Sequence, residues 1–183
     1  MNNISLYKDE LTANTRLTCA RQRAENMAIL LGPGSRILEM CVGPSLRRLE
    51  EEYRKYGIEC WGNDIDPRWQ QYYPTGKWII GDALKLNVSK FDALVFAPPL
   101  SKGCSGKRED SLSLEKVNPS YRNFLKSYSW FSGVKTMVLP GRTLSVKHDR
   151  VELYKLLQEL NGYEVVPLRD KVVKYVDIYI HPC

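Results

Sequence analysis

The chain predicts an α/β domain built on a mostly parallel sheet with helices on both faces. Short apolar runs alternate with stripes at helical spacing along most of its length. The ends of the first four runs carry acids, a glycine turn or prolines, and the last two runs have no helix between them, which makes the final pair antiparallel. Ligands of such sheets bind beyond the carboxyl ends of the strands, where these special residues fall.

The first helix is capped by Asn14 or Thr15, with Leu17, Ala20, Ala24, Met27, Ala28 and Leu31 inward, and Gly32-Pro33-Gly34 stops it. Its opposite face carries Arg16, Arg21, Arg23 and Glu25 and reads as solvated. Arg36 to Cys41 is the first strand. It runs through Gly43-Pro44 into a second helix with Leu46, Leu49, Tyr53 and Tyr56 inward, which Gly57 ends. Gly43 can take positive φ or admit a ligand closely, Pro44 suits the first helical position, and the free N–H groups beyond favour an anionic group.

Ile58 to Gly62 is the second strand, leading into Asn63-Asp64-Ile65-Asp66-Pro67. An acid just past that strand can accept both hydroxyls of a ribose, whereas Asp66 before Pro67 reads as a helix cap. Trp78 to Gly81, ending in Asp82-Ala83, and Phe91 to Phe96, ending in Ala97-Pro98-Pro99-Leu100, are the third and fourth strands. Trp69, Tyr72 and Tyr73 cover either a ligand pocket or a core edge. Tyr121, Phe124, Leu125 and Tyr128 form a core-facing helical stripe. Val134 to Leu139 is a fifth strand, Asp149 caps a helix with Leu153, Leu156, Leu157 and Leu160 inward, and Tyr163 to Val166 and Val172 to Ile180 close the sheet.

The 183 residues fit one domain over 1–183 with room for a genuine core. Lys and Arg number 27 against 21 Asp and Glu, a net charge of +6, which mildly favours polyanionic partners. Cys19, Cys41, Cys60, Cys104 and Cys183 show no paired metal-ligand spacing, and an odd count fits reduced thiols, so no metal is expected. The first residues lack a basic-then-apolar signal pattern and no run is long enough to span a membrane, so the expected location is cytoplasmic. His148 and His181 read as surface residues.

The motifs ILEMCVGPS, GNDIDP, IIGDA and FDALVFAPPL stand in the order and at the spacing of the class I S-adenosylmethionine-dependent methyltransferases, and the chain resembles that family over nearly its whole length. The resemblance implies a three-layer Rossmann-like sandwich with a seven-stranded sheet, mostly parallel, and one antiparallel C-terminal strand. It implies S-adenosyl-L-methionine as cofactor. Glu39 would sit near the methionine ammonium, Cys41, Gly43, Pro44 and Ser45 would approach the methionine portion, and Asp64 would bind the ribose. Asp82 and Ala83 would contact adenine, with Ile65 on its face. Each acid also has a plainer reading, Glu39 as a turn cap or the partner of a lysine and Asp82 as an ordinary turn residue.

The sequence departs from the family pattern in two places. Cys41 stands where a glycine is usual, and it reads as an inert thiol. In amine-methylating relatives the fourth strand ends in Asn, Asp or Ser, then two prolines and an aromatic residue; here Ala97 offers no acceptor and Leu100 no ring, leaving the backbone of Ala97, Pro98 and Pro99 to position the methyl acceptor. The segment from Leu100 to Gly133 carries three more basic than acidic residues. Leu100, Lys102, Lys107 and Arg108 are its candidate substrate contacts.

The leading expectation is a methyltransferase of RNA or DNA, RNA the more so. A methyltransferase of a protein or small molecule, and a module that binds S-adenosylmethionine or a nucleotide without turnover, are the alternatives. A minimal fold leaves room for a partner protein, and no membrane partner is implied. Nicotinamide chemistry is disfavoured because no full G-x-G-x-x-G follows the first strand.

Overall fold

The computed structural model describes residues 17–43, 46–72, 77–98, 119–128, 134–140, 154–159, 163–166 and 177–182. In chain order the elements are α1 (Leu17–Leu31), β1 (Arg36–Met40), α2 (Leu46–Arg54), β2 (Glu59–Asp64), β3 (Trp78–Ile80), β4 (Ala93–Phe96), α3 (Tyr121–Tyr128) and β5 (Thr136–Pro140). A helical segment, α4 (154–159), then precedes β6 (Tyr163–Val166) and β7 (Asp177–Pro182). Asp149, the expected cap of α4, and Val172, the expected start of β7, lie outside the described residues.

The seven strands form one sheet in the order β3-β2-β1-β4-β5-β7-β6. β1 to β5 are mutually parallel, and β7 runs antiparallel to both β5 and β6. Connections from β1 build outwards through β2 and β3, and β4 then starts on the other side of β1. The order therefore reverses between β1 and β4, and in sheets of this kind the ligand crevice lies at the carboxyl ends of the strands beside that point. At the opposite end Asp92 secures the register: its side chain accepts from the Arg36 N–H at 2.9 Å, and its carbonyl accepts from Lys135 N–H at 2.8 Å.

Alternation along the strands separates two cores. Ile37, Ala93, Val95, Val138 and Tyr179 face α1 and α2, where Ala20, Ala24, Met27, Leu46, Leu49 and Tyr53 cover them. Leu38, Met40, Leu94, Phe96, Met137 and Ile180 face the other way, onto Tyr121, Phe124, Leu125 and Tyr128 of α3 and Leu157 of α4. The stripe expected in α3 is buried throughout.

Three expectations are corrected, the first being Tyr56, which lies beyond the end of α2 and is exposed rather than inward. β2 ends at Asp64 rather than Gly62, because Asn63 and Asp64 pair with Ile79 and Ile80 of β3 and Asn63 also pairs with Met40. Arg23, assigned to a solvated helix face, is only 2% exposed. Its Nε and Nη2 donate to both oxygens of Asp177, at 2.7 and 3.1 Å, and its Nη1 reaches Glu39 at 3.3 Å. Small Ala20 and Ala24 let α1 lie close to the sheet, which also covers the flanking Gln22, Arg23 and Asn26. Arg21 remains on the solvated side, within 3.6 Å of Glu52.

Candidate functional site

The carboxyl end of β1 is held from both sides. The Met40 carbonyl accepts from Ala97 N–H at 3.2 Å, placing the end of β4 beside it, and Val42 N–H donates to the Asn63 carbonyl at 3.0 Å. Between them Cys41 adopts φ 55°, the only positive φ of a non-glycine residue among the described ones. That conformation is costly for a side chain with a Cβ and persists only where its surroundings enforce it. Burial, then the charges of Asp64 and Asp82, push the Cys41 thiol up to about 12, so it stays protonated and is a poor nucleophile.

Gly43 follows at φ 49° and donates its N–H to Asp64 Oδ2 at 2.9 Å. A Cβ there would meet Asp64 and Trp69 only at ordinary contact distance, so backbone conformation rather than space favours glycine. Gly62 is the opposite case: a Cβ would fall within 2.6 Å of the Trp78 ring and closer still to Leu46. Trp69 packs in the α1–α2 core beside this turn, which resolves its place as a core edge. Tyr73 lies outside the described residues.

Asp64 ends β2 as the hinge of the site. Its second oxygen accepts from Asp66 N–H at 3.0 Å, and burial raises its pKa in spite of these N–H donors. Asp66 caps the turn Pro67–Tyr72 by accepting from Arg68 N–H at 3.0 Å, as its sequence position suggests. Asn63 Nδ2 donates to the carbonyls of Ile79 and Gly81, at 3.0 and 2.9 Å, and so ties β2 to the end of β3. Beyond that end Asp82 Oδ1 accepts from Leu84 N–H at 3.0 Å, and its Oδ2 lies 3.6 Å from Lys85 Nζ. Ala83 is buried, whereas Ile65 and Ile80 are 72% and 47% exposed.

The carboxyl ends of β1, β2 and β3 therefore carry two carboxylates, a backbone turn at positive φ, and two apolar residues open to solvent. Such a set suits a ligand with an apolar ring and hydroxyl or amino donors. Glu39 is placed differently. It is 0% exposed, accepts from Tyr53 Oη at 2.7 Å and pairs with Arg23. Of its sequence readings these contacts match the ion pair, with Arg23 in place of the expected lysine.

Ala97 and Pro98 close β4, with Pro98 buried. The candidates Pro44, Ser45, Pro99, Leu100, Lys102, Lys107 and Arg108 lie outside the described residues. Arg23, Tyr53, Asn63, Tyr128 and Asp177 were not singled out as site residues by the sequence. Asn63 stood inside a motif and Tyr128 inside a core stripe, but neither position announces its hydrogen-bond partners.

No protein-family model and no curated protein sequence matches the chain. Solved structures do. A TehB-like SAM-dependent methyltransferase from Corynebacterium glutamicum aligns with TM-score 0.57 at 16% identity, over 90% of this chain and 88% of that one. A SAM-dependent methyltransferase from Geobacter sulfurreducens, solved with S-adenosyl-L-homocysteine, aligns with TM-score 0.54 at 13% identity, over 93% and 92%. Sp1610 of Streptococcus pneumoniae, proposed to be a tRNA (m1A22) methyltransferase, gives 0.51 at 12% identity, over 87% and 69%. Other matched structures are longer, and the chain spans 45% to 60% of four of them.

Proposed function

We propose that this chain, whose fold is that of the class I S-adenosylmethionine-dependent methyltransferases, binds S-adenosylmethionine and directs its methyl group onto a nucleic acid, RNA more than DNA. The observation that carries the cofactor reading is the joining of the β1 turn to the β2 acid through Gly43 N–H and Asp64, next to the β1–β4 boundary where strand order reverses. The nucleoside half fits this rim. Asp64 would take the ribose hydroxyls, Asp82 and the Ala83 N–H the adenine edge, and exposed Ile65 a face of the ring. Pro44 and Ser45 would continue the turn that approaches the methionine portion.

Glu39 would act at one remove, because Arg23 and Tyr53 already engage its carboxylate. Its contribution at the methionine end would be to hold the end of β1, with backbone groups of Cys41 to Gly43 making the contact. When bound, the cofactor supplies a methyl group already activated by its sulfonium, so the protein mainly has to align an acceptor. Ala97, Pro98 and Pro99 would do this through backbone carbonyls, with Leu100, Lys102, Lys107 and Arg108 on the substrate side. The net charge of +6 and the basic segment after Leu100 support a polyanionic substrate, as does the assignment of Sp1610. The absent side-chain acceptor at Ala97 supports a second reading, in which the acceptor belongs to a protein or small molecule.

Calorimetric titration with S-adenosylmethionine and, separately, a nicotinamide dinucleotide tests the cofactor, with micromolar binding of the first alone expected. Asp64→Ala should weaken that binding by about 1 to 3 kcal/mol; an unchanged dissociation constant would overturn the assignment. Affinity for RNA should fall steeply with added salt and with charge reversal at Lys107 and Arg108. Salt-independent or absent RNA binding would leave the second reading.

A further inference from the structure

A phenol holds the turn Ala83–Lys85 from outside. Tyr128, the last residue of α3, is 1% exposed; its Oη donates to the Ala83 carbonyl and accepts from the Leu86 N–H at 3.1 Å. One hydroxyl thus grips the turn at its first residue and again just past its last. From inside, Asp82 Oδ1 caps the same turn through Leu84 N–H. The helix that delivers the phenol is itself seated on β4: Phe124 stacks on Phe96 with centroids 4.2 Å apart and planes 2° apart, and Tyr121 meets the same ring edge-on at 5.5 Å. β4 leads directly into Ala97 and Pro98, so one short helix supports both the adenine side and the acceptor side of the crevice.

We propose that Tyr128 is a positioning residue that holds the Asp82–Ala83 turn in the orientation that reads the base of the bound nucleoside. The proposal rests on the S-adenosylmethionine reading of the crevice. Base recognition at this turn depends on the direction of one carboxylate and one backbone N–H, and such groups discriminate only when a supporting shell fixes them. Without the hydroxyl, the Ala83 carbonyl and Leu86 N–H lose a buried partner, and the turn is free to shift. The phenol is suited to the task because burial pushes it up to about 12, which keeps it neutral and able to donate and accept together.

The test compares Tyr128→Phe with the unaltered protein against two ligands, S-adenosylhomocysteine and S-inosylhomocysteine, which differ at the base edge. The unaltered protein should prefer the adenine ligand. Tyr128→Phe should weaken adenine-ligand binding by about tenfold while leaving the inosine ligand nearly unchanged, so that the preference collapses. A variant that melts earlier but keeps the full preference would reduce Tyr128 to a structural role and overturn the proposal. Ile37→Val, in the core on the opposite face of the sheet, is the control, expected to lower stability and keep the preference.

Amide exchange at Leu86 in the unaltered protein gives a reading independent of any variant. It should be slow and slow further with S-adenosylhomocysteine; exchange indifferent to the ligand would overturn the coupling. Binding of neither ligand by the unaltered protein would instead sink the cofactor reading, and the proposal with it.

Discussion

On one face of the sheet α1 and α2 cover Glu39, Asp177 and Tyr179 through Arg23, Tyr53 and Asn26, all joined by buried hydrogen bonds or ion pairs. On the other face α3 covers Phe96 with one stacked and one edge-on ring, and the Tyr128 hydroxyl makes a polar contact at the edge of the site. The polar face is directional: two carboxyl groups share one guanidinium in a place with little water, and the pairing depends on all three. The aromatic face is stabilised by area and ring geometry, which carry no charge to balance. Each face supports a different part of the crevice, the first the end of β1 and the second the ends of β3 and β4.

Arg23→Met breaks the comparison most strongly. It leaves Glu39 and Asp177 buried without their cation and should cost about 3 to 5 kcal/mol in guanidinium unfolding. A loss below about 1 kcal/mol would mean that the network is open to water. Phe124→Ala should cost a comparable amount, about 3 to 5 kcal/mol, through the cavity it leaves. That loss should not vary between mildly acidic and neutral pH, whereas the loss from Arg23→Met should. A smaller effect, about 1 to 3 kcal/mol, is expected for Gly62→Ala, whose Cβ would collide with Trp78 and Leu46.

The two faces should also separate by pH. Burial raises the Glu39 carboxyl above its ordinary 4.5, so the folded state holds that proton more tightly than the unfolded chain. Its contribution is complete below 4.5 and is lost as pH rises through the raised value. Unfolding titrations from pH 4.5 upwards should show a declining component that Glu39→Gln removes. Tyr128 titrates at the other end, its contribution lost between its ordinary 10 and about 12, and Tyr128→Phe should remove that alkaline component. The smallest effect on stability, within about 0.5 kcal/mol, is expected for Ile65→Ser. Because Ile65 is 72% exposed, the change should appear in nucleoside affinity instead; an unchanged affinity would remove Ile65 from the site.

The sequence by itself determined the layered α/β order, the turn after β1, the acids at the ends of β2 and β3, and the buried stripe of α3. These are local: a strand, a turn or a helical face is written in residues a few positions apart, and physical periodicity reads them. Arg23 was misread for the complementary reason. Its burial follows from Asp177, 154 positions away, and from a helix that small residues let settle against the sheet. The grip of Tyr128 on Ala83 spans 45 positions, and the pairing of Glu39 with Arg23 follows from α1 closing over β1. Tertiary structure decided these points because which polar groups lose water, and which partners they then find, depends on how distant elements pack.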